Sequence, residues 1–327
     1  MYYNRTLTKE FADHLLPGNQ LYWLFEYVKA CPDLDFQIGK NATEEWISVY
    51  RGLTRLVSIQ RTKNPDSVKL KTADKYLDIS PQLSGIRPIS EISADSIECV
   101  RAWLEKKKDD RYYNNRKEGY YQNELSRMFG ICGNSEALYA VVDKEAVVGY
   151  KNTAEKEQLF LPLQQKYKKL QQGLSACDAA RYGENLDSKS IGKELDFLAI
   201  DKSGDLMLIE YKHGTNTSGI YLSPLQIGLY IETFSSLPKD VLSQSATEMF
   251  KQKQALGLIS PEWKMPVLSG RIVPVLIISE PNAKSDAKQK FGEVLDFCKK
   301  KHGVNFLEGL LTFEYTSADG MRPWCTL

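Results

Sequence analysis

The chain has no long hydrophobic run. No window approaches the roughly eighteen or more apolar residues of a membrane span, and the N-terminus (MYYNRTLTKEF) lacks the basic-then-apolar order of a secretion signal. Histidine is scarce: His14, His213 and His302 stand far apart with no HxxxH or HExxH spacing, which argues against a histidine-rich zinc enzyme. The six cysteines (Cys31, Cys99, Cys132, Cys177, Cys298 and Cys325) contain no CxxC pair, so neither a disulfide framework nor a zinc finger is expected. Also missing are GxxxxGK[ST], GxGxxG after a strand, and GxSxG. Nucleotide hydrolysis, Rossmann redox chemistry and α/β-hydrolase chemistry thus lose their usual signatures. Charge of one sign is lacking too: 43 Lys+Arg meet 42 Asp+Glu, a net charge of +1, so any nucleic-acid binding must come from a local patch. The expectation is a soluble, cytoplasmic protein without a membrane partner.

What is present suits a globular chain. Apolar residues make up 42% and charged residues 26%, enough for a full core, and 327 residues suggest two domains. The first part is mixed. Residues 21–30 (LYWLFEYVKA) have helical amphipathicity, while residues 46–60 and 67–76, rich in β-branched and aromatic side chains, predict a hairpin or meander. Residues 93–108 predict a Ser-capped helix ending in lysines. Residues 109–121 (DDRYYNNRKEGYY) have no apolar period and are expected to form a linker or exposed loop.

Beyond about residue 150 strands and helices alternate, as a layered α/β domain requires. A helix is expected over 153–174, with Pro162 inside it, and strands over 194–200 and 206–211. A helix over 223–236 follows, with Ser223 as cap, Pro224 at its first position and Gln226 at its third. A strand over 272–279, a helix over 285–302 and a strand over 305–315 complete the pattern. The boundary is placed at 148/149: residues 1–148 form an α+β region for substrate or partner recognition, and residues 149–327 form the α/β domain.

The strands over 194–200 and 206–211 predict a geometry. If their turn centres on Ser203, facing residues have numbers summing to 406, so Leu198 faces Leu208 and Asp196 faces Glu210. Lys212 lies on the same face one step on. Two carboxylates and a lysine therefore gather at the end of a ribbon that is apolar elsewhere on both faces. Like charges side by side repel, and a hard divalent cation such as Mg²⁺ or Mn²⁺ resolves that conflict. A neighbouring lysine then positions a water and neutralises charge on a phosphate. The set suits metal-assisted phosphodiester hydrolysis and offers no nucleophile for acyl transfer.

Leu195-Asp196, thirteen residues, then Glu210-Tyr211-Lys212 resembles the PD-(D/E)XK nuclease superfamily in its ExK form, and Gln226-Ile-Gly-Leu-Tyr230 resembles the QxxxY element of its RecB-like members. The likeness covers about residues 151–315. Leu195 departs from the family's proline. The resemblance implies a restriction-endonuclease-like three-layer core, a mixed sheet flanked by helices, and a DNA-cleaving enzyme. Asp196 and Glu210 would hold Mg²⁺ or Mn²⁺ and Lys212 would assist the water. Glu157 or Glu155, with Glu124 a third candidate, would complete the site, and Gln226 and Tyr230 would support it. A homodimer is left open.

Each feature also has a plain alternative. ExK pairs on strands are commonly solvated charges; Gln226 belongs to a Ser-Pro-Leu-Gln capping box; Tyr230 suits a core; His213 points away from Lys212; Asp201 and Asp205 suit a turn. Lys106–Lys108, Lys166, Lys168, Lys169 and residues 299–301 are either helix ends or phosphate contacts, and Arg116 and Lys117 among tyrosines either a linker or a nucleic-acid grip. The rival to a nuclease is a catalytically inactive nuclease-fold DNA-binding or assembly module.

Overall fold

The computed structural model describes residues 1–107, 111–177, 179–182, 191–192, 194–301 and 304–325. The chain divides into two compact units: Asn4–Asp143 with Ser245–Met265, and Met1–Tyr3 with Lys144–Gln244 and Pro266–Leu327. The junction thus falls between Asp143 and Lys144, ahead of the expected 148/149. Ser245–Met265 returns to the N-terminal unit because its apolar residues belong to that core. Leu256 and Leu258 join the cluster formed by Leu24, Val28, Ile47 and Ile97, and the buried Trp263 donates from Nε1 to the Ala137 carbonyl at 2.9 Å. Contiguous reading of a sequence has no signal for such a return.

The N-terminal unit begins with the short helix α1 (Lys9–Asp13) and helix α2 (Tyr22–Ala30). The antiparallel sheet β1 (Asp35–Lys40), β2 (Glu45–Arg51), β3 (Thr54–Arg61), β4 (Ser67–Lys71) and β5 (Gly85–Pro88) follows, in that spatial order. The expected meander is there, with residues 46–60 split by a turn at Gly52 into β2 and β3, but the stretch over 67–76 is strand only as far as Lys71 and ends in a 3₁₀ turn, Asp74–Tyr76. Helix α3 (Ala94–Lys106) starts at Ser93, whose side chain accepts from the Ser96 amide, as its sequence predicts. Lys108, at the end of the expected helix, lies outside the described residues, as do Asp109 and Asp110.

The expected linker over 109–121 contains two helices, α4 (Arg111–Asn114) and the start of α5 (Glu118–Met128), joined by a turn over 115–117. The reason is that α5 docks through hydrogen bonds rather than an apolar stripe. Ser126 donates to the buried Asp35 carboxylate at 2.8 Å, and Asn123 to the Pro32 carbonyl at 3.2 Å. Arg127 donates to the Val28 and Lys29 carbonyls at 2.9 Å each, at the C-terminus of α2, where the Val28 carbonyl also accepts from the Cys31 amide at 3.2 Å.

The second sheet has the order β11–β10–β9–β8–β7–β6, with β6 (Tyr139–Ala146), β7 (Leu195–Asp201), β8 (Leu206–His213), β9 (Ile272–Ser279), β10 (Leu311–Thr316) and β11 (Gly320–Pro323). It is mixed: β7/β8 and β10/β11 are antiparallel, β8/β9 and β9/β10 parallel. Parallel neighbours need a crossover. Between β8 and β9 run α8 (Thr217–Ser235) and α9 (Lys239–Ala255), and between β9 and β10 runs α10 (Ala287–Asp296), continued by the π-turn Phe297–Lys301. Helix α6 (Thr153–Cys177) runs through Pro162, and the single turn α7 (Ala179–Tyr182) follows it. Helix α8 packs on β8 and β9, and both α6 and α10 pack on α8.

The expected strand over 305–315 opens instead as a 3₁₀ segment, Asn305–Gly309, because Val304, Leu307 and Leu310 are buried at three-residue spacing. His302, at the expected end of the preceding helix, lies outside the described residues. Among the described residues the chain is thus a mixed α/β protein with one five-stranded antiparallel sheet and one six-stranded mixed sheet. Among the described residues no helix is long and apolar enough to cross a membrane.

Candidate functional site

The hairpin β7–β8 is set by its turn. Asp201 Oδ1 accepts from the amides of Ser203 at 2.9 Å and Asp205 at 2.8 Å, and Gly204 adopts φ +86°, where a Cβ would also run into the Val267 carbonyl. Asp205 is held by Ser269 at 2.6 Å and by Arg271, which lowers its pKa. Both aspartates are turn residues, as their sequence suggests. The register follows: Phe197 faces Ile209, Leu198 faces Leu208, Ala199 faces Met207 and Ile200 faces Leu206, each pair summing to 406. Leu195, Phe197, Leu198, Leu206, Leu208 and Ile209 are all buried, which locks that register, since a slip of one residue would exchange the faces.

At the end of this ladder the chemistry changes. Asp196 accepts from the Tyr211 amide at 2.7 Å through its side chain. Glu210, 1% exposed, is ion-paired with Lys212, 7% exposed. Asp196 is half-buried by residue area, yet burial of its carboxyl pushes its pKa above the ordinary value. Lys212, the Tyr211 amide and Lys144 act in the opposite sense, and Glu145 adds to the rise. Lys212 therefore stands within electrostatic reach of both acids.

Gln226 and Tyr230 also come to this place. Gln226 Nε2 donates to the Tyr230 hydroxyl at 3.0 Å, which donates to the Glu194 carbonyl at 2.6 Å. Burial is the largest cause of a raised Tyr230 pKa, with the Glu210 and Asp196 charges adding to it. Gly192 lies tight against the pair, and a Cβ there would collide with both the Gln226 amide and the Tyr230 hydroxyl.

The capping-box reading of Gln226 is corrected. Helix α8 begins at Thr217 with Asn216 as cap, its side chain accepting from the Gly219 amide at 3.0 Å. Ser223 and Pro224 lie inside the helix. Pro224 has no amide for the Ile220 carbonyl four residues back, and the Ser223 hydroxyl donates to it instead at 2.7 Å. A Ser-Pro pair that resembles a helix start repairs a helix interior.

The other expected residues have surroundings of their own. The Glu155 carboxylate accepts from the Met1 amine at 2.6 Å and the Lys151 amide at 2.7 Å, which lowers its pKa; Glu157 is exposed; Glu124, on α5, belongs to the N-terminal unit. Among the described residues no group of three or more His, Cys, Asp or Glu side chains is arranged to hold a metal ion. Lys166 is ion-paired with Glu232 at 2.6 Å, Lys168 donates to Gln171 at 3.5 Å, and Lys169 is exposed on α6. Arg116 lies over the Tyr120 ring at 5.2 Å and Lys117 is half-buried, both in the N-terminal unit. The buried His213 shares a hydrogen bond with Thr215 at 2.8 Å.

Two influences on the site were not legible in the sequence. Lys144, 4% exposed, and Glu145 sit on β6, a strand whose signal, four apolar residues followed by Asp-Lys-Glu, is short and breaks where they begin. Chemically, the set is two carboxylates on adjacent strands, hard oxygen donors, with the Lys212 ammonium paired to Glu210 and acting electrostatically on Asp196. No protein-family model, curated protein or solved structure matches the chain.

Proposed function

We propose that the chain is a metal-dependent nuclease that hydrolyses DNA phosphodiester bonds on a restriction-endonuclease-like core. The observation that carries this reading is the convergence of Asp196, Glu210 and Lys212 from neighbouring antiparallel strands, with Gln226 and Tyr230 of the next helix joined to the same strand end. The order helix, hairpin, helix, strand over α6, β7–β8, α8 and β9 supports it.

The donor set fits a hard divalent cation, because Mg²⁺ takes one or two carboxylates while its other positions go to water and phosphate oxygens. Asp196 and Glu210 would hold it, and when bound it would polarise the phosphate and lower the pKa of a water. Lys212 places a positive charge where a phosphorane would gather negative charge and orients the attacking water. Tyr230 fixes the start of β7 through the Glu194 carbonyl, and so the position of Asp196.

DNA incubated with Mg²⁺ or Mn²⁺ tests this. The wild type is expected to cut, and Asp196→Asn and Lys212→Met to lose at least about 100-fold, the size of effect of removing a preorganised electrostatic group. An Asp196→Ala protein that cuts as well as wild type would falsify the proposal.

A second reading, a nuclease-fold DNA-binding or assembly module without activity, draws on one observation: Glu210 is already neutralised by Lys212 and no third carboxylate joins the described pair. Titration calorimetry with Mn²⁺ separates the two, since the module is expected to release no binding heat that Asp196→Asn removes.

A further inference from the structure

Tyr230 has a second face. It lines a cavity of about 360 Å³ together with Tyr150, Lys156, Phe160, Gln164 and Phe234, all within the same unit. Tyr150 and Phe160 present half-buried rings, their centroids 6.2 Å apart and their planes at 51°, a tilted pair with surface to spare. Phe234 is fixed by edge-on packing against Tyr3 at 5.3 Å. Lys156 and Glu194 are exposed charges of opposite sign at the cavity, and Gln164 and Thr233 add polar groups to an otherwise aromatic and aliphatic lining. Ligand cavities run from about 300 to 1,000 Å³, so this one suits a single ring system. Its Tyr230 wall is shared with the acidic site, because the hydroxyl of that residue is tied to the strand carrying Asp196 and is influenced by both carboxylates.

We propose that this cavity takes one unstacked nucleobase of the strand whose phosphodiester lies at Asp196 and Glu210, so that the substrate is a single-stranded stretch or strand end rather than intact duplex. The proposal rests on the nuclease reading and extends it. Every base has a π-face, so an aromatic lining accepts it with little regard to sequence, and Lys156 is available to a neighbouring phosphate. A base inside a duplex has first to leave its stack, at an energetic cost that is smallest for a strand already unpaired.

The test uses the full-length protein in EDTA, which stops metal-dependent hydrolysis, and measures fluorescence anisotropy of short single-stranded DNA carrying one abasic residue at each position in turn. At one position the missing base is expected to weaken binding about 5- to 150-fold, the usual worth of one stacked base. Phe160→Ala is expected to lose a similar factor for the intact strand and to be indifferent to the abasic residue. Tyr150→Ala should behave alike. Both side chains are only half-buried, and thermal melting checks that the variants fold; the abasic scan on wild type stands without them.

A flat scan, equal losses for intact and abasic strands in Phe160→Ala, or capture of an apolar peptide in place of DNA overturns the proposal. Cleavage with a flat scan overturns the nucleobase cavity alone. A position-dependent scan without cleavage in Mg²⁺ or Mn²⁺ overturns the hydrolytic reading and leaves the cavity standing.

Discussion

The amide of Gln226 donates to the hydroxyl of Tyr230 one helical turn on, and that hydroxyl reaches the carbonyl of Glu194 just ahead of β7. A helix side chain thereby holds the strand that carries Asp196. Tyr230→Phe removes both bonds while keeping the ring. It is expected to lower kcat or metal affinity about 10- to 100-fold, as loss of a supporting partner of a metal ligand does. Steady-state kinetics with oligonucleotide substrates should show the loss in kcat with KM little changed, and stability should fall by only about 1 kcal/mol.

Asp196 titrates in the direction opposite to most native carboxylates. Its folded pKa is raised above 3.8, so the folded chain keeps the proton to higher pH than the unfolded chain does. The stability this group contributes is full below pH 3.8 and is lost as pH rises through the folded value. Asp196→Asn, which retains an acceptor for the Tyr211 amide, is expected to be more stable than wild type at neutral pH. The difference should shrink as the pH falls toward 3.8. Urea denaturation across that range checks the sign, and a bound divalent cation should narrow the neutral-pH gap by favouring the wild-type carboxylate.

Lys212 and Glu210 are both buried, so removing one charge leaves the other badly placed. Lys212→Met is expected to destabilise the fold by about 3–5 kcal/mol, and a second change, Glu210→Gln, to restore much of it. Chemical denaturation of the two single variants and the double variant measures the coupling.

Ser223→Ala leaves the buried Ile220 carbonyl with neither the proline amide nor the hydroxyl. About 1–3 kcal/mol should be lost. Restoring a backbone donor with Pro224→Ala in the same chain is expected to recover most of it, since residue 224 then reaches Ile220 as in any α-helix. Thermal melts of the three variants decide.

The register of β7–β8 was legible because a short turn, a glycine and two apolar faces each specify it independently. Asp196, Glu210 and Lys212 were grouped by strand alternation, whereas Gln226 and Tyr230 were brought to them only by the resemblance to the QxxxY element. Ser223 was misread since its neighbourhood is locally identical to a helix start; what distinguishes it is the preceding turn, Thr217 to Leu222, whose Asn216 cap lies farther upstream. Helix α5 was missed because Ser126 and Arg127 bury polar groups against carbonyls and a carboxylate, and hydrophobic periodicity is blind to that. Lys144 was missed because its strand meets the site only through the sheet order.

The N-terminal unit is stitched from two separate stretches, and the second, Ser245–Met265, begins partway along α9. A gene cut at the inter-unit junction would therefore yield no clean half. The downstream fragment would carry Leu256, Leu258 and Trp263 away from the residues they pack among, as greasy orphans prone to clumping. The upstream fragment would be missing part of its own filling. Anyone wishing to study the acidic pocket in isolation would do better to replace that loop-out with a short spacer than to shorten the chain from its front.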